Sequence, residues 1–259
     1  IMGILNVTPD SFSDGGAWAD EPDAVATGLR LAAEGADIID VGGESTRPGA
    51  PAVPPEREQA RVIPVIRALA GRGIRVSVDT RNAATMRAAL EAGATIVNDV
   101  SGFSYDPDAA RVVARARCPV VVMHMRGTPD DMTTRAVYVD PVAEVAEELA
   151  ERVAALRRAG VAAEAIAIDP GIGFAKKGEH SVAVLRGLAA FTALGHPVLV
   201  GLSRKSFIGT ISGEADPKRR LGGSVAGALY AATRGAAILR VHDVAETVQA
   251  LRVWTALAG

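Results

Sequence analysis

Short apolar runs rich in β-branched residues alternate with longer alanine-rich stretches along the whole chain. Eight of these runs have the length and composition of buried strands: residues 1–6, 37–41, 75–79, 95–98, 120–124, 165–169, 198–202 and 237–241. The stretches between them place apolar residues at helical spacing, as in residues 23–34, 56–70, 83–91 and 142–158. The pattern therefore predicts strands and helices in alternation.

Prolines and glycines mark the expected helix ends. Proline is favoured in the first turn of a helix, and four prolines lie where helices are expected to begin: Pro22, Pro54, Pro55 and Pro141. Glycine just past a helix end terminates the helix in a left-handed conformation, and four glycines occupy such places: Gly35, Gly93, Gly160 and Gly235. Pro64 lies inside the second predicted helix and predicts a kink there.

Eight strands that alternate with helices predict an α/β fold with a parallel sheet, closed as a (β/α)8 TIM barrel. The composition does not shift along the chain, so we expect a single domain over residues 1–259. A doubly wound open sheet is the alternative. The first predicted strand lacks the glycine-rich turn of a dinucleotide site, which favours the barrel.

Polar side chains lie at the end of every predicted strand. They are Asn6, Asp40, Asp79, Asn98, His124, Asp169, the group Ser203, Arg204 and Lys205, and Arg240 with His242. One such residue is commonly a helix cap or a turn residue, and that alternative stays open for Asp79 and Asp169. The active site of a barrel lies at the carboxyl ends of its strands, so all eight ends together predict one shared site. His124 is left outside the candidate set as a structural histidine of the rim.

The polar side chains at the strand ends are of two chemical types. Asp79, Asn98 and Asp169 are mainly hydrogen-bond acceptors and suit the amide-like edge of a flat heterocycle. Lys205, Arg240, His242 and the nearby Arg47 are donors and potential cations, which suit a phosphate or pyrophosphate. The two types together indicate an electron-rich heterocycle that carries a phosphorylated leaving group.

Composition narrows the possible partners. The 259 residues have a formal net charge of −2, which gives no electrostatic footprint for nucleic acid. No run of about 18 apolar residues occurs, so no membrane span is expected. Cys118 is the only cysteine. It is expected to be a buried structural thiol, and the absence of any disulfide fits a reducing cytoplasm.

Eight motifs taken in order resemble the dihydropteroate synthase family over the whole chain. They lie at residues 6–16, 42–49, 78–80, 97–99, 124–129, 169–174, 203–207 and 240–243. The resemblance implies a (β/α)8 barrel, typically homodimeric, that condenses 6-hydroxymethyl-7,8-dihydropterin pyrophosphate with 4-aminobenzoate. The products would be 7,8-dihydropteroate and pyrophosphate, on the route to folate.

The resemblance also implies roles for particular residues. Asp79, Asn98, Asp169 and Lys205 would hold the pterin; Arg240, His242 and Thr46 would hold the pyrophosphate; and Asn6 would contact Mg²⁺. The aminobenzoate pocket would use Phe12, Asp14, Arg47, Pro48, Phe174 and Ser206. Asp14, Arg47, Asp79, Lys205 and Arg240 are the residues expected to support catalysis. Residues 176–181 depart slightly from the family pattern, so the structure of that loop is not implied.

The expected mechanism is dissociative, because the electron-rich ring can delocalise the charge left when pyrophosphate departs. The loop at residues 6–16 would then close and exclude water. Two rivals stay open: a methyltetrahydrofolate-binding barrel that passes a methyl group to a corrinoid protein, and a non-catalytic pterin-binding protein. Neither needs both the loop at residues 45–49 and the cations at Lys205 and Arg240.

Overall fold

The computed structural model of this protein describes residues 1–8, 21–47 and 49–258. Eight parallel strands close into one barrel, each hydrogen-bonded to the next in chain order, and the first also pairs with the last. They are β1 (Met2–Asn6), β2 (Ile38–Gly42), β3 (Val76–Asp79), β4 (Ile96–Asp99), β5 (Val120–Met123), β6 (Ile166–Asp169), β7 (Val198–Val200) and β8 (Ala236–Val241). The predicted (β/α)8 barrel is confirmed, and the open sheet is excluded by the pairing of β1 with β8.

Ten α-helices cover the barrel in the described part of the chain. They are α1 (Glu21–Ala33), α2 (Pro55–Ala70), α3 (Ala83–Glu91), α4 (Ala109–Ala116), α5 (Pro141–Arg158), α6 (Gly178–Arg186), α7 (Leu188–Thr192), α8 (Ser206–Ser212), α9 (Leu221–Thr233) and α10 (Val244–Ala258). The connections from β6 to β7 and from β7 to β8 each hold two α-helices, so the repeated layout is not uniform.

The helix ends follow the predicted signals. Helices α2 and α5 begin at Pro55 and Pro141, and α2 continues through Pro64. The side chain of Asp140 caps α5 by accepting hydrogen bonds from the N–H groups of Val142 and Ala143 at 3.0 and 3.1 Å. The four predicted terminator glycines have φ angles of 106°, 110°, 99° and 94°, a region that side chains disfavour. They are Gly35, Gly93, Gly160 and Gly235.

The core has two layers. Met2, Val121 and Leu199 point into the barrel, where they form a small apolar cluster. A larger cluster lies between strands and helices and includes Phe191, which is fully buried. Full burial of one such side chain stabilises the fold by roughly 1.5–3 kcal/mol. Cys118 is buried as predicted, and no helix among the described residues is long and apolar enough to cross a membrane.

Candidate active site

Strand register brings three of the predicted polar residues to one level of the barrel mouth. Asn6 is in register with Gly42, Gly42 with Asp79, and Asp79 with Asn98. A Cβ atom on Gly42 would lie 3.6 Å from Asp79 Oδ2 and 3.8 Å from Asn6 Oδ1. Because glycine has no side chain, the space between these two oxygens stays open.

Arg240 on β8 lies between two carboxylates at this mouth. Its Nε donates to Asp40 Oδ2 at 2.6 Å, and its Nη2 donates to Asp79 Oδ2 at 2.7 Å. Asp40 Oδ2 also accepts a hydrogen bond from Asn98 Nδ2 at 3.0 Å. One buried carboxylate on β2 therefore orients both Arg240 and Asn98, which were predicted to bind opposite ends of the substrate.

Burial makes these charges strongly interdependent. It raises the pKa of Asp79 to about 8, a shift that Arg240 opposes and the Asp40 charge reinforces. Burial alone would lower the pKa of Arg240, but the carboxylates of Asp40 and Asp79 outweigh it and raise that pKa. Asp40 Oδ1 is buried without a hydrogen-bond partner among the described residues. One carboxylate oxygen of this cluster is therefore still without a hydrogen bond from the described residues, and it could accept one from a polar ligand.

Asp169, Phe174 and Lys205 meet on the other side of the mouth. Asp169 Oδ1 accepts a hydrogen bond from the N–H of Gly171 at 2.7 Å. Lys205 Nζ donates to the carbonyl of Ile172 and lies 4.4 Å from the centre of the Phe174 ring. Burial lowers the pKa of Lys205 to about 8, opposed by Asp169. The structure therefore brings Asp169 and Lys205, both expected to hold the pterin, next to Phe174, which was expected in the aminobenzoate pocket.

The surroundings of His242 disfavour the cationic form that the sequence suggested, because they hold its pKa below the usual value. Its Nδ1 lies 3.0 Å from Ser203 Oγ. Burial, together with the charges of Arg204 and Arg240, lowers the pKa of His242 to about 4. Its ring can therefore offer one N–H group near neutral pH but no full positive charge. Ser206 is exposed at the first residue of α8, next to Lys205.

The loop after β2 is fixed at its base by a buried ion pair. Glu44 accepts hydrogen bonds from Arg81 Nε and Nη2 at 2.9 and 2.8 Å, and from the N–H of Val53 at 2.9 Å. Thr46 is partly buried and Arg47 is exposed on the same loop. The predicted aminobenzoate residues Phe12, Asp14 and Pro48 lie outside the described residues.

Two features of the site were given no role from sequence. Asp40 was recognised as polar, and its position inside the apolar run of β2 was a signal, because a buried carboxylate requires a partner. The pair formed by Glu44 and Arg81 had no such signal, since the two residues are 37 positions apart and each occurs in an ordinary polar segment. His124, interpreted from sequence as a structural histidine of the rim, is fully buried and belongs to a polar network with Lys176.

The comparisons with known proteins agree with this geometry. The family model described as pterin binding enzyme matches residues 2–242. A dihydropteroate synthase of Synechocystis sp. is 45% identical over 258 residues, 99% of this chain and 89% of that protein. The structure of Xanthomonas albilineans dihydropteroate synthase with 4-aminobenzoic acid has a TM-score of 0.94 at 52% identity, covering 100% of this chain and 92% of that one. The same enzyme in complex with 7,8-dihydropteroate has a TM-score of 0.91 at 49% identity, covering 100% and 93%.

A parallel barrel whose mouth carries these acceptors and cations defines a pterin-binding enzyme. The family match and the identity to these relatives extend over nearly the whole chain. The chain belongs to the dihydropteroate synthase family.

Proposed function

We propose that this protein condenses 6-hydroxymethyl-7,8-dihydropterin pyrophosphate with 4-aminobenzoate, yielding 7,8-dihydropteroate and pyrophosphate. The observation that carries the proposal is the cluster at Arg240, where Asp40, Asp79 and Asn98 converge beside a mouth kept open by Gly42. Such a site offers carboxylate and amide groups to a heterocycle and a guanidinium to an anion. Structures of the Xanthomonas albilineans enzyme hold 4-aminobenzoic acid and 7,8-dihydropteroate, which supports one proposed substrate and one proposed product.

The pterin is proposed to bind between the two halves of the mouth. Its amino group and adjacent ring N–H form a donor pair that the Asp169 carboxylate can accept with two bonds. Asn98 offers both a donor and an acceptor, and Lys205 donates to the pterin carbonyl and ring nitrogen. Because Lys205 Nζ already lies against Ile172 and the Phe174 ring, its approach direction is set before substrate binds.

Bond breaking is proposed to come before bond formation. The carbon–oxygen bond to pyrophosphate breaks, both electrons leave with the pyrophosphate, and the dihydropterin ring delocalises the remaining positive charge. Asp79 in its ionised form stabilises this cation, while Arg240, Thr46 and the N–H of His242 stabilise the departing anion. The amino nitrogen of 4-aminobenzoate then attacks the exocyclic carbon and loses a proton. Its neutral amine is already nucleophilic, so no covalent intermediate with the enzyme is needed.

Magnesium is proposed as the cofactor, with Asn6 as its protein ligand. The described residues contain no cluster of three or more His, Cys, Asp or Glu side chains that could hold a metal ion. Asn6 Oδ1 instead faces the open space above Gly42, and a hard oxygen ligand of this kind fits Mg²⁺, which takes few protein ligands. When bound, the ion would neutralise charge on the pyrophosphate.

The second substrate is proposed to complete the pocket from the outside. Arg47 and the apolar ring of Phe174 are proposed to contact 4-aminobenzoate, and Ser206 with the first N–H groups of α8 would receive its carboxylate. Phe12, Asp14 and Pro48 remain proposed contacts from the first two loops. Contacts from these loops to the substrates would keep water from capturing the cation.

The direct test mixes the pterin pyrophosphate, 4-aminobenzoate and Mg²⁺ with the protein and measures released pyrophosphate and dihydropteroate. We expect both products in equal amounts, and none from Asp169→Asn. The exposed Lys177→Met is the matched control and should retain full turnover. Corrinoid-dependent methyl transfer without pyrophosphate release would identify the methyltetrahydrofolate-binding rival, and pterin binding without turnover would identify the non-catalytic one.

A homodimer in the cytoplasm is proposed as the working form. Helix α9 carries no charged residue, and apolar side chains are exposed at its first residue and on helices α8 and α10. They are Ile211, Leu221, Val253, Trp254 and Leu257. A patch of this kind marks an interaction surface, and a second copy is the partner that the family resemblance implies. Sedimentation should give a dimer that Trp254→Glu dissociates, while Val139→Glu, at a fully exposed valine elsewhere, leaves it intact.

A further inference from the structure

A buried lysine lies beneath the pterin pocket and outside every role assigned above. Lys176 Nζ is 2.8 Å from His124 Nδ1 and donates to the carbonyl of Phe174 at 3.1 Å. His124 Nε2 in turn lies 2.9 Å from Glu148 Oε2 on α5. Lys176 and His124 are buried, so these contacts are the partners that make their burial tolerable.

The chain of contacts fixes the tautomer of His124. The ionised Glu148 carboxylate can only accept a hydrogen bond, so His124 must donate from Nε2, and its Nδ1 accepts from Lys176. The proton of the neutral ring is then on Nε2, from which it is donated to the Glu148 carboxylate. Burial, together with the nearby charge of Lys176, lowers the pKa of His124 to about 4 and keeps the ring neutral. The result is a directed network that runs from α5 to the loop after β6.

This network holds the loop that carries one wall of the pocket. The carbonyl bound by Lys176 belongs to Phe174, whose ring lies against Lys205. The carbonyl of Ile172 in the same loop accepts a hydrogen bond from Lys205. Gly171 packs so closely on the end of β5 that a Cβ atom there would lie 1.9 Å from the carbonyl oxygen of His124. The loop therefore packs against His124 through Gly171. Its Phe174 carbonyl accepts a hydrogen bond from Lys176, and its Ile172 carbonyl accepts one from Lys205.

We propose that Lys176, seated on His124, is a positioning residue for pterin binding, which orients Phe174 and Lys205 by holding the loop at residues 170–177. The inference rests on the proposed function, because it names how that pocket is kept in shape. Lys176 itself does not reach the reacting atoms. It acts through the loop and, by its charge, on Asp169.

The charged groups around Lys176 determine how its loss would change the pH dependence. Glu148 and Arg152 face it from α5, Asp169 from β6 and Lys205 from the segment after β7, and the Tyr138 ring is 6.0 Å away. Burial raises the pKa of Asp169, and Lys205, Arg240 and Lys176 oppose that rise. Burial also lowers the pKa of Lys176 itself, so this lysine opposes the rise at Asp169 only while it is protonated. Over that pH range, removal of Lys176 lets the pKa of Asp169 rise further, so the carboxylate needed for pterin binding is lost at a higher pH.

The experiment compares two adjacent lysines. We would measure the Kd of 6-hydroxymethyl-7,8-dihydropterin pyrophosphate by calorimetry between pH 5 and 9, without aminobenzoate, for Lys176→Met and for the exposed Lys177→Met. Lys176→Met should weaken binding about tenfold at neutral pH, because the loop no longer holds Phe174 and Lys205 in the binding geometry. It should also move the acid limb of the profile to higher pH. Lys177→Met should match the unaltered protein.

A second variant, at the far end of the network, distinguishes a positioning role of Lys176 from a general loss of stability. Glu148→Ala removes the acceptor of His124 from a partly exposed position and should weaken pterin binding in the same direction, by less than Lys176→Met. A lowered Tm with unchanged Kd and unchanged acid limb in these variants would overturn the proposal and leave Lys176 a structural residue only. If the unaltered protein and Lys177→Met also fail to bind the pterin, the proposed function fails instead.

Discussion

Arg240 on β8 donates from Nε to the fully buried Asp40 on β2 at 2.6 Å, which joins residues 200 positions apart. Strand β1 lies between these two strands, so the contact crosses the barrel where the chain closes on itself. The same guanidinium bonds Asp79 on β3. Arg240 therefore serves the fold and the proposed pyrophosphate site together.

Removal of the guanidinium should destabilise the protein as well as inactivate it. Arg240→Met leaves the Asp40 carboxylate buried without a cation, and loss of one partner of a buried pair costs about 3 kcal/mol or more. Urea unfolding would measure this. Adding Asp40→Asn to Arg240→Met should recover a large part of the loss, because the uncompensated charge is then gone.

The control for this prediction is an exposed pair. Arg111 and Asp108 are bonded within α4 and its cap, with side chains 56% and 54% exposed. Arg111→Met should change the unfolding free energy by about 0.5 kcal/mol or less. An equal cost for both arginines would mean that the contact with Asp40 carries no special weight.

Asp79 should make the ligand-free protein less stable as pH rises. Its pKa is raised to about 8 in the fold, from an ordinary value of 3.8. Between these values the folded chain binds more protons than the unfolded chain, so stability falls as pH increases. Asp79→Asn removes this loss. Its unfolding free energy should match the unaltered protein near pH 4 and exceed it near pH 8, although pterin binding is lost. A difference that did not grow with pH would contradict the raised pKa.

Lys205 should impose a basic limb on pterin affinity. Its pKa is lowered to about 8, so above that pH it progressively loses the proton through which it donates to the pterin. Lys205→Gln keeps an N–H donor that does not titrate. Calorimetry should show affinity about tenfold weaker at neutral pH, from the loss of a charged donor, with the basic limb abolished. A basic limb that persists in Lys205→Gln would assign it to another group.

The pair of Glu44 and Arg81 should matter for the second substrate more than for the pterin. Both side chains are 5% exposed, and Glu44 also binds the N–H of Val53, so the pair encloses the loop that holds Thr46 and Arg47. Glu44→Gln retains the shape but loses the charge-assisted bonds. We expect a KM for 4-aminobenzoate raised about tenfold and a pterin Kd within about twofold of the unaltered value. A comparable loss of pterin affinity would show that this loop belongs to the pterin pocket.

The local sequence pattern was sufficient to predict the architecture of the fold. The β-branched runs, the prolines at helix starts and the glycines after helix ends each act within a few residues, so strand bounds were predicted within two residues and the barrel followed from their number. The ring of polar strand ends was also readable, because in a closed parallel barrel all carboxyl ends meet on one face. Asp79, Asn98, Asp169, Lys205 and Arg240 were therefore named as candidates from sequence.

The hydrogen-bond partners and protonation states of the site residues could be read only from the tertiary structure. The sequence could list Asp40 but not its sharing between Arg240 and Asn98, and it counted His242 as a potential cation although burial keeps it neutral. Likewise the role inferred for Lys176 depends on His124, 52 positions away. The sequence by itself determined which chemical groups reach the barrel mouth, since that depends on local periodicity. Only the tertiary structure decided which groups form hydrogen bonds and ion pairs and which are protonated. The energies of these interactions depend on interatomic distances and burial, which long-range packing creates.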